Sequence, residues 1–131
     1  MILRRSQVIG ATLAGFVCLV AGSSLSLLGQ GQPPANGKEL FERRCGGCHA
    51  LDRDKEGPRL GGVYGRVAAS VDSFEYSDAL KKSKILWSDE SLEKWLADPE
   101  RFVPNNNMAF HLEKAVERRD IIAYLKSSPS R

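Results

Sequence analysis

The 131-residue sequence has few residues that can ligate a metal or react covalently: three cysteines, two histidines and two methionines. Beyond the N-terminal segment this set is reduced to Cys45, Cys48, His49, His111 and Met108. A structural zinc site needs four cysteine or histidine ligands, and directly neighbouring residues such as Cys48 and His49 fit poorly into one tetrahedron. The composition therefore disfavours a zinc site.

The sequence also lacks a strong excess of charge of either sign. It has 19 basic and 16 acidic residues and a net charge of +3, which falls to +1 when Arg4 and Arg5 are left out. Basic and acidic residues are mixed along the chain, whereas nucleic-acid-binding domains concentrate basic residues in a patch or along one helix. We therefore expect no nucleic-acid partner.

The N-terminal segment has a short positive start, MILRR, and then no charged residue until Lys38. A positive start followed by an apolar run and small residues is typical of an export signal. The apolar run also approaches the ~20 residues that cross a bilayer, so an uncleaved membrane anchor is an alternative. We predict a signal or anchor at 1–31, a linker at 32–36 and one domain at 37–131 in the periplasm or another extracytoplasmic space.

The rest of the chain has helical patterns and no strong strand pattern. Helices are predicted from a capping box of Asn36 and Glu39 into the cysteine motif, over a short segment at 76–83, over 88–98 from a cap at Ser88 to an end marked by Pro99, and over 113–128. Residues of the last helix predicted to face inward are Ala115, Val116, Ile121, Ile122, Tyr124 and Leu125. About 95–100 residues with three good helices form a thin core, so a further apolar group is expected to fill the middle.

The stretch RCGGCH contains C-x-x-C-H, the pattern of covalent haem attachment. In this pattern Cys45 and Cys48 form thioethers with the haem vinyl groups, and His49 becomes an axial ligand of the iron. The macrocycle would also supply the missing core. A disulfide would leave His49 without a role, and a thioredoxin-like dithiol would need β-strands, so both are weaker alternatives.

The second axial ligand is expected from the loop VPNNNMAF, which contains Met108. A methionine in a loop is poorly explained as core filling, unlike a methionine on the apolar stripe of a helix. His111 is the competing ligand, and an open or lysine-ligated position also remains. His/Met ligation suits electron transfer because it raises the potential and fills both axial positions. An open position would instead favour a peroxidase or a gas-binding protein.

From Gly37 to Ser128 the chain resembles a class I, mitochondrial-type cytochrome c. The resemblance is carried, in family order, by the stretches GKELFERRCGGCH, GPRLGGVYGR, FEYSDA, LWSDESL, DPERFVPNNNM and ERRDIIAYLK. It implies a small all-α cytochrome c fold, with three main helices and short ones wrapped around one haem c attached through Cys45 and Cys48. It also implies His49 and Met108 as the metal ligands.

The resemblance further implies roles for residues around the haem. The carbonyl of Pro58 should accept a hydrogen bond from the His49 ring, and Phe110 should cover the haem on the methionine side. The haem propionates should be held by Arg66, Tyr76 and Trp87. The first and last helices should cross where Gly37 and Phe41 meet Ile121 and Tyr124.

Three features depart from the family pattern near the methionine. Trp95 replaces a tyrosine, and because an indole can donate a hydrogen bond but not accept one, the bond that tunes the sulfur is placed in doubt. Leu80 replaces an asparagine that orders a buried water. Asn106 and Asn107 replace a threonine and a lysine, which removes one positive charge from the family's docking surface.

The sequence thus predicts a monomeric, non-enzymatic monohaem electron carrier of a respiratory or photosynthetic chain. Its partners would be redox proteins that donate and accept electrons, with membrane contact only if the N-terminal segment is uncleaved. Two alternatives remain: a small haem peroxidase or gas-binding protein with a displaceable sixth ligand, and a membrane-tethered electron-entry subunit of a larger complex.

Overall fold

A computed structural model describes residues 35–129, which form five helices. Their bounds are α1 (Ala35–Arg44), α2 (Asp78–Ser83), α3 (Asp89–Ala97), α4 (Pro99–Phe102) and α5 (Ala115–Ser127). The other described residues are loops, in which the sole β pairing is an isolated antiparallel bridge between Val67 and Leu86. The predicted all-α fold class is confirmed.

The predicted export signal or anchor at 1–31 lies outside the described residues, as does most of the predicted linker at 32–36. α1 begins at Ala35, within that linker. No helix between residues 35 and 129 has the length and apolar character needed to cross a bilayer.

The first and last helices, α1 and α5, cross at a close approach that requires glycine. A Cβ atom on Gly37 would lie 2.6 Å from the carbonyl oxygen of Asp120 and 2.9 Å from Cβ of Tyr124. One turn further along, the rings of Phe41 and Tyr124 pack with their centroids 5.4 Å apart. Phe41 and Ile121 are buried in the core. This crossing fixes the turn that directly follows α1 against the rest of the domain.

The cap prediction for α1 is wrong. The helix already includes Ala35, so Asn36 lies in its first turn instead of preceding it. Glu39 does not reach back to the helix start, because its carboxylate accepts a hydrogen bond from Arg43 at 3.2 Å, one turn later. An exposed pair of opposite charge four residues apart is a common competitor for such a side chain.

The prediction that Ala115 and Val116 face inward is also wrong. Both residues are exposed, and Val116 is 56% accessible. They occupy the first turn of α5, before the helix reaches its crossing with α1. Further along the same helix, Ile121, Ile122 and Leu125 are buried as predicted.

The Ser88 cap of α3 is confirmed. The Ser88 hydroxyl accepts a hydrogen bond from the Ser91 amide at 3.3 Å, and the Ser91 hydroxyl accepts one from the Ser88 amide at 2.7 Å. The helix α4 was not predicted, since Pro99 was expected only to follow the end of α3. Pro99 instead begins α4, and the Asp98 carboxylate caps it by accepting a bond from the Arg101 amide at 3.0 Å. α4 leads directly into the loop that carries the candidate methionine ligand.

Backbone hydrogen bonds join the loop before α2 to the segment before α3. Gly65 donates its amide hydrogen to the carbonyl of Trp87 at 2.8 Å, and Trp87 donates to the carbonyl of Arg66 at 2.9 Å. Arg66 and Trp87, which are distant in sequence, are therefore held next to each other.

Candidate functional site

A cavity of about 670 Å³ is lined by residues of α1, α2, α3 and α5 and of the long loops. Its wall contains all eight residues singled out from the sequence: Cys45, Cys48, His49, Pro58, Arg66, Tyr76, Trp87 and Met108. Most of the remaining wall is apolar, with side chains such as Leu60, Val63, Leu92, Leu96, Ile121 and Leu125. A large apolar cavity with a few convergent polar groups is the usual form of a cofactor site.

His49 is held by the backbone of the two residues that face its ring. Its Nδ1 lies 2.8 Å from the carbonyl oxygen of Pro58 and therefore carries the proton that it donates. The lone pair of Nε2 is then available to a metal. A Cβ atom on Gly57 would lie 2.2 Å from Cε1 of His49, so the ring occupies space that any other residue would fill.

The environment of His49 also favours the form of the ring that binds metals. Burial lowers the pKa of His49 below its ordinary value, and the hydrogen bond to Pro58 opposes this effect. Because burial penalises the charged form, the imidazole is kept neutral.

The two cysteines lie in the turn that continues from α1. Cys48 and His49 both donate their amide hydrogens to the carbonyl of Cys45, at 3.0 and 2.8 Å. Burial, and to a lesser extent the neighbouring Cys48 sulfur, raises the pKa of Cys45 to about 11, so this position favours an uncharged sulfur, as in a thioether. Within residues 35–129, no three His, Cys, Asp or Glu side chains converge as a metal site, so the donor set does not fit the zinc alternative.

Met108 lies on the cavity wall in the loop between α4 and α5. Its sulfur accepts a hydrogen bond from the indole Nε1 of Trp95 at 3.2 Å. Trp95, which replaces the family's tyrosine and so placed a bond to the sulfur in doubt, therefore supplies a hydrogen-bond donor from α3. His111 does not line this cavity; it is exposed and borders a separate cavity of about 210 Å³.

Arg66 places a half-buried positive charge on the cavity wall. Its guanidinium donates to the carbonyls of Gly61 at 3.1 Å and Arg59 at 2.9 Å. It forms no ion pair with any carboxylate of the described residues. Burial lowers the pKa of Arg66 and raises that of Tyr76, which keeps the phenol protonated and able to donate. A partly desolvated cation without an acidic partner fits an anionic group inside the cavity.

The cavity therefore fits a haem by its own chemistry. It offers two sulfurs at one end of α1, a neutral imidazole with one lone pair available, an apolar wall and an unpaired cation for carboxylates. Phe110 also lines it and is 38% accessible, which places this ring where the cavity meets the solvent.

Two contributors to the site were not singled out from the sequence as binding residues. Gly57 leaves the space that the His49 ring occupies. The position of Gly57 directly before Pro58 could have indicated this role. Asn106 accepts a hydrogen bond from the amide of Met108 at 2.7 Å. Nothing in the run of three asparagines distinguishes Asn106 from its neighbours.

Comparison with known proteins gives matches over the same region. Residues 34–129 match the family model described as Cytochrome c. The chain is 44% identical over 96 residues to a cytochrome c of Gibberella zeae, covering 70% of this chain and 91% of that protein. It is 48% identical over 94 residues to a cytochrome c of Euglena viridis, covering 70% and 92%. Among solved structures, cytochrome cH from Methylobacterium extorquens aligns with a TM-score of 0.69 and 40% identity, over 75% of this chain and 100% of that chain.

Proposed function

The chain belongs to the cytochrome c family and is an electron-transfer protein with one haem c bound covalently through Cys45 and Cys48, and on this premise we propose that His49 and Met108 ligate its iron. Haem supplies an iron that alternates between its ferric and ferrous states and so carries one electron. The protein residues attach the cofactor, fix the ligands and exclude water.

One observation carries this proposal: both candidate ligands lie on the wall of the same cavity, whereas His111 does not. His49 presents an unprotonated Nε2, because Nδ1 is committed to the Pro58 carbonyl. Met108 supplies a neutral sulfur that is already oriented by Trp95. If His49 and Met108 both bind the iron, a substrate would find no open coordination site, which favours the electron carrier over a peroxidase or gas-binding protein.

The polar end of the cavity would hold the haem propionates. Arg66 offers a positive charge, Tyr76 offers a phenolic donor, and Trp87, whose backbone pairs with that of Arg66, also lines the cavity. Charge-assisted hydrogen bonds from a guanidinium to a carboxylate are among the stronger polar contacts in proteins.

Partner proteins would dock where the cavity opens to solvent. Cys48, Asn107, Ala109 and Phe110 are all exposed and line the cavity, so a partner at this edge would come close to the cofactor. Complexes between redox proteins are usually small, below about 1,200 Å² of buried surface, which permits rapid turnover of partners. We propose a monomer that exchanges electrons there with a donor and an acceptor of a respiratory or photosynthetic chain.

The location would be periplasmic or otherwise extracytoplasmic, because the N-terminal segment has the composition of an export signal or anchor. Mass spectrometry of the purified protein tests this point and the cofactor together. The expected mass includes one covalent haem, and the N-terminus tells a cleaved signal from a retained anchor. Stable co-purification with another polypeptide from detergent extracts would instead favour the tethered-subunit alternative.

Substitution of the sixth ligand tests the proposed coordination. Met108→Ala is expected to lower the midpoint potential and to open the iron to cyanide or imidazole, and His111→Ala to leave the absorption spectrum unchanged. Loss of the methionine–iron absorption band in the first variant alone would support Met108. An unchanged spectrum and potential in Met108→Ala would reject Met108 as the ligand, and cyanide binding by the oxidised wild type as fast as by Met108→Ala would favour an open site.

A further inference from the structure

A ring of three hydrogen bonds links two loops next to the Arg66 site. The Asp54 carboxylate accepts one bond from the Arg59 amide at 2.8 Å and one from the Ser73 hydroxyl at 2.6 Å. The Ser73 oxygen in turn accepts a bond from the Arg59 guanidinium at 2.9 Å. Each of the three residues therefore contacts the other two, and the Asp54 side chain is only 22% exposed.

Arg59 connects this ring to the guanidinium that faces the cavity. Its amide hydrogen is bound by Asp54, and its carbonyl oxygen accepts a hydrogen bond from Arg66 at 2.9 Å. The carbonyl of Gly61 takes a second N–H of Arg66 at 3.1 Å. Since a guanidinium has five N–H donors in a fixed plane, two such anchors set the direction in which the remaining donors point. The position of the Arg66 side chain thus depends on the backbone that Asp54 holds.

The ring also keeps a negative charge at this end of the molecule. The Ser73 hydroxyl first, and the Arg59 amide second, hold the pKa of Asp54 below its usual range. The charged and titratable groups that face it are Arg59, Arg66 and Tyr76. At neutral pH the Asp54 carboxylate is therefore ionised and partly offsets the charge of the two arginines.

We propose that Asp54 is a positioning residue for the electron-transfer reaction. Asp54 fixes Arg66 through Arg59, and its charge sets the electrostatic field at the end of the cavity that binds the haem propionates. This inference rests on the proposed placement of the propionates at Arg66. A nearby negative charge stabilises the oxidised iron, which has one more positive charge than the reduced iron. The midpoint potential should therefore rise when Asp54 loses its charge, that is, as the pH falls through the pKa of Asp54.

Two variants test the proposal on the haem-loaded protein. Asp54→Asn should have a higher midpoint potential than the wild type at neutral pH and should lose the rise of the wild type at acid pH. Ser73→Ala keeps the charge of Asp54 but removes a hydrogen bond that lowers the pKa of Asp54. The inflection of its potential–pH curve should therefore move to higher pH. In the wild type, the ¹³C chemical shift of the Asp54 carboxyl, measured by NMR, should change at the same pH at which the midpoint potential changes. In Ser73→Ala, both changes should move together to higher pH.

The matched control is Asp72→Asn, which makes the same change of charge one residue before Ser73. Asp72 is exposed and forms no hydrogen bond or ion pair among the described residues, so its replacement should leave the potential–pH curve unchanged. Unequal curves for Asp54→Asn and Asp72→Asn support the proposal. Equal curves overturn it. An inflection that does not move in Ser73→Ala also overturns it, and this second test can be made even if Asp54→Asn fails to fold.

A further variant separates this inference from the proposed function. If Arg66→Lys shifts the potential while Asp54→Asn does not, the propionates lie at Arg66 but Asp54 does not position it. If neither substitution shifts the potential, the placement of the propionates at Arg66 is itself wrong, and the inference fails with it.

Discussion

The two proposed iron ligands are held by different kinds of contact. The His49 ring rests against the backbone of Gly57 and donates to the backbone carbonyl of Pro58 at 2.8 Å. The surrounding turn is closed in the same way, since Gly57 donates its amide hydrogen to the carbonyl of Cys48 at 2.9 Å. The histidine side of the cavity is therefore defined by the path of the chain.

The methionine side depends on side chains. From Pro104 to His111 the loop makes no backbone–backbone hydrogen bond with another described residue. The Met108 sulfur is bound by the indole of Trp95, and its amide by the side chain of Asn106. The carboxylate of Glu100 adds a bond from the Asn105 amide at 3.0 Å.

Because of this difference, substitutions can tune the methionine side of the cavity, whereas the contacts on the histidine side must be kept. A backbone contact survives most substitutions and fails only where a new side chain intrudes. A side-chain contact is lost with the single residue that makes it. We therefore expect substitutions on the methionine side to adjust the potential and the ligand strength in steps, and substitutions on the histidine side to be either silent or severe.

The most severe expected change is Gly57→Ala. The new Cβ atom would lie 2.2 Å from Cε1 of His49, so the ring must leave its seat or the loop must move. We expect a loss of about 3 kcal/mol of stability, the upper end for overpacked interiors, and a low yield of haem-loaded protein. Thermal unfolding and the haem-to-protein ratio measure both effects.

Gly47→Ala is the matched control, because no atom of the described part of the chain lies within 4 Å of a Cβ atom at that position. It should behave like the wild type in both measurements. If Gly57→Ala retained full stability and haem content, backbone packing would not define the histidine side, and the comparison would fail.

The next largest effect is expected from Asn106→Ala. Its side chain accepts from the Met108 amide at 2.7 Å and donates to the carbonyl of Val103 at 2.9 Å. Loss of these two bonds at about 1 kcal/mol each, together with a longer bond to the Glu100 carboxylate at 3.4 Å, should destabilise the loop by about 2 kcal/mol. Faster amide exchange at Met108 and faster entry of imidazole into the oxidised protein should follow. Asn107→Ala is the control, because the Asn107 side chain forms no hydrogen bond with any residue of 35–129. Equal rates in the two variants would contradict this account.

The contrast also explains how far the sequence could predict the structure. The turn of Cys45, Cys48 and His49 is encoded within five residues, and the α3 cap depends on two serines three positions apart. Such local patterns can be recognised without the fold. The capping box at Asn36 failed because Glu39 had a second partner, Arg43, in the same helix.

Features that depend on the course of the loops could not be predicted in this way. Helical periodicity predicted that both Val116 and Ile121 face inward, although only Ile121 reaches the helix crossing. The bond from Trp95 to Met108 depends on where the loop passes α3. The bond between Asp54 and Ser73 joins residues 19 positions apart in segments without helical or strand pattern. Spacing alone contains no information on such contacts.

A smaller effect is expected from Trp95→Phe, which keeps an aromatic ring and removes the N–H donor. A donor withdraws electron density from the Met108 sulfur and so disfavours the oxidised iron; its loss should lower the midpoint potential. A neutral hydrogen bond of about 1 kcal/mol corresponds to about 40 mV for one electron. Trp95→Tyr, which restores a donor, should recover part of the shift in voltammetry. Equal potentials in Trp95→Phe and the wild type would remove Trp95 from the tuning of the sulfur.

The smallest effect is expected from Pro58→Ala, although this residue makes the only recorded hydrogen bond to the His49 ring among the described residues. The acceptor is the backbone carbonyl, which alanine also supplies, so the tautomer and orientation of the ring should persist. The remaining cost is the added freedom of the unfolded chain, below about 1 kcal/mol. The midpoint potential and the His49 ring resonances in NMR should match the wild type. A shift as large as that of Trp95→Phe would mean that the proline ring itself holds the loop, and the histidine side would then depend on side chains as the methionine side does.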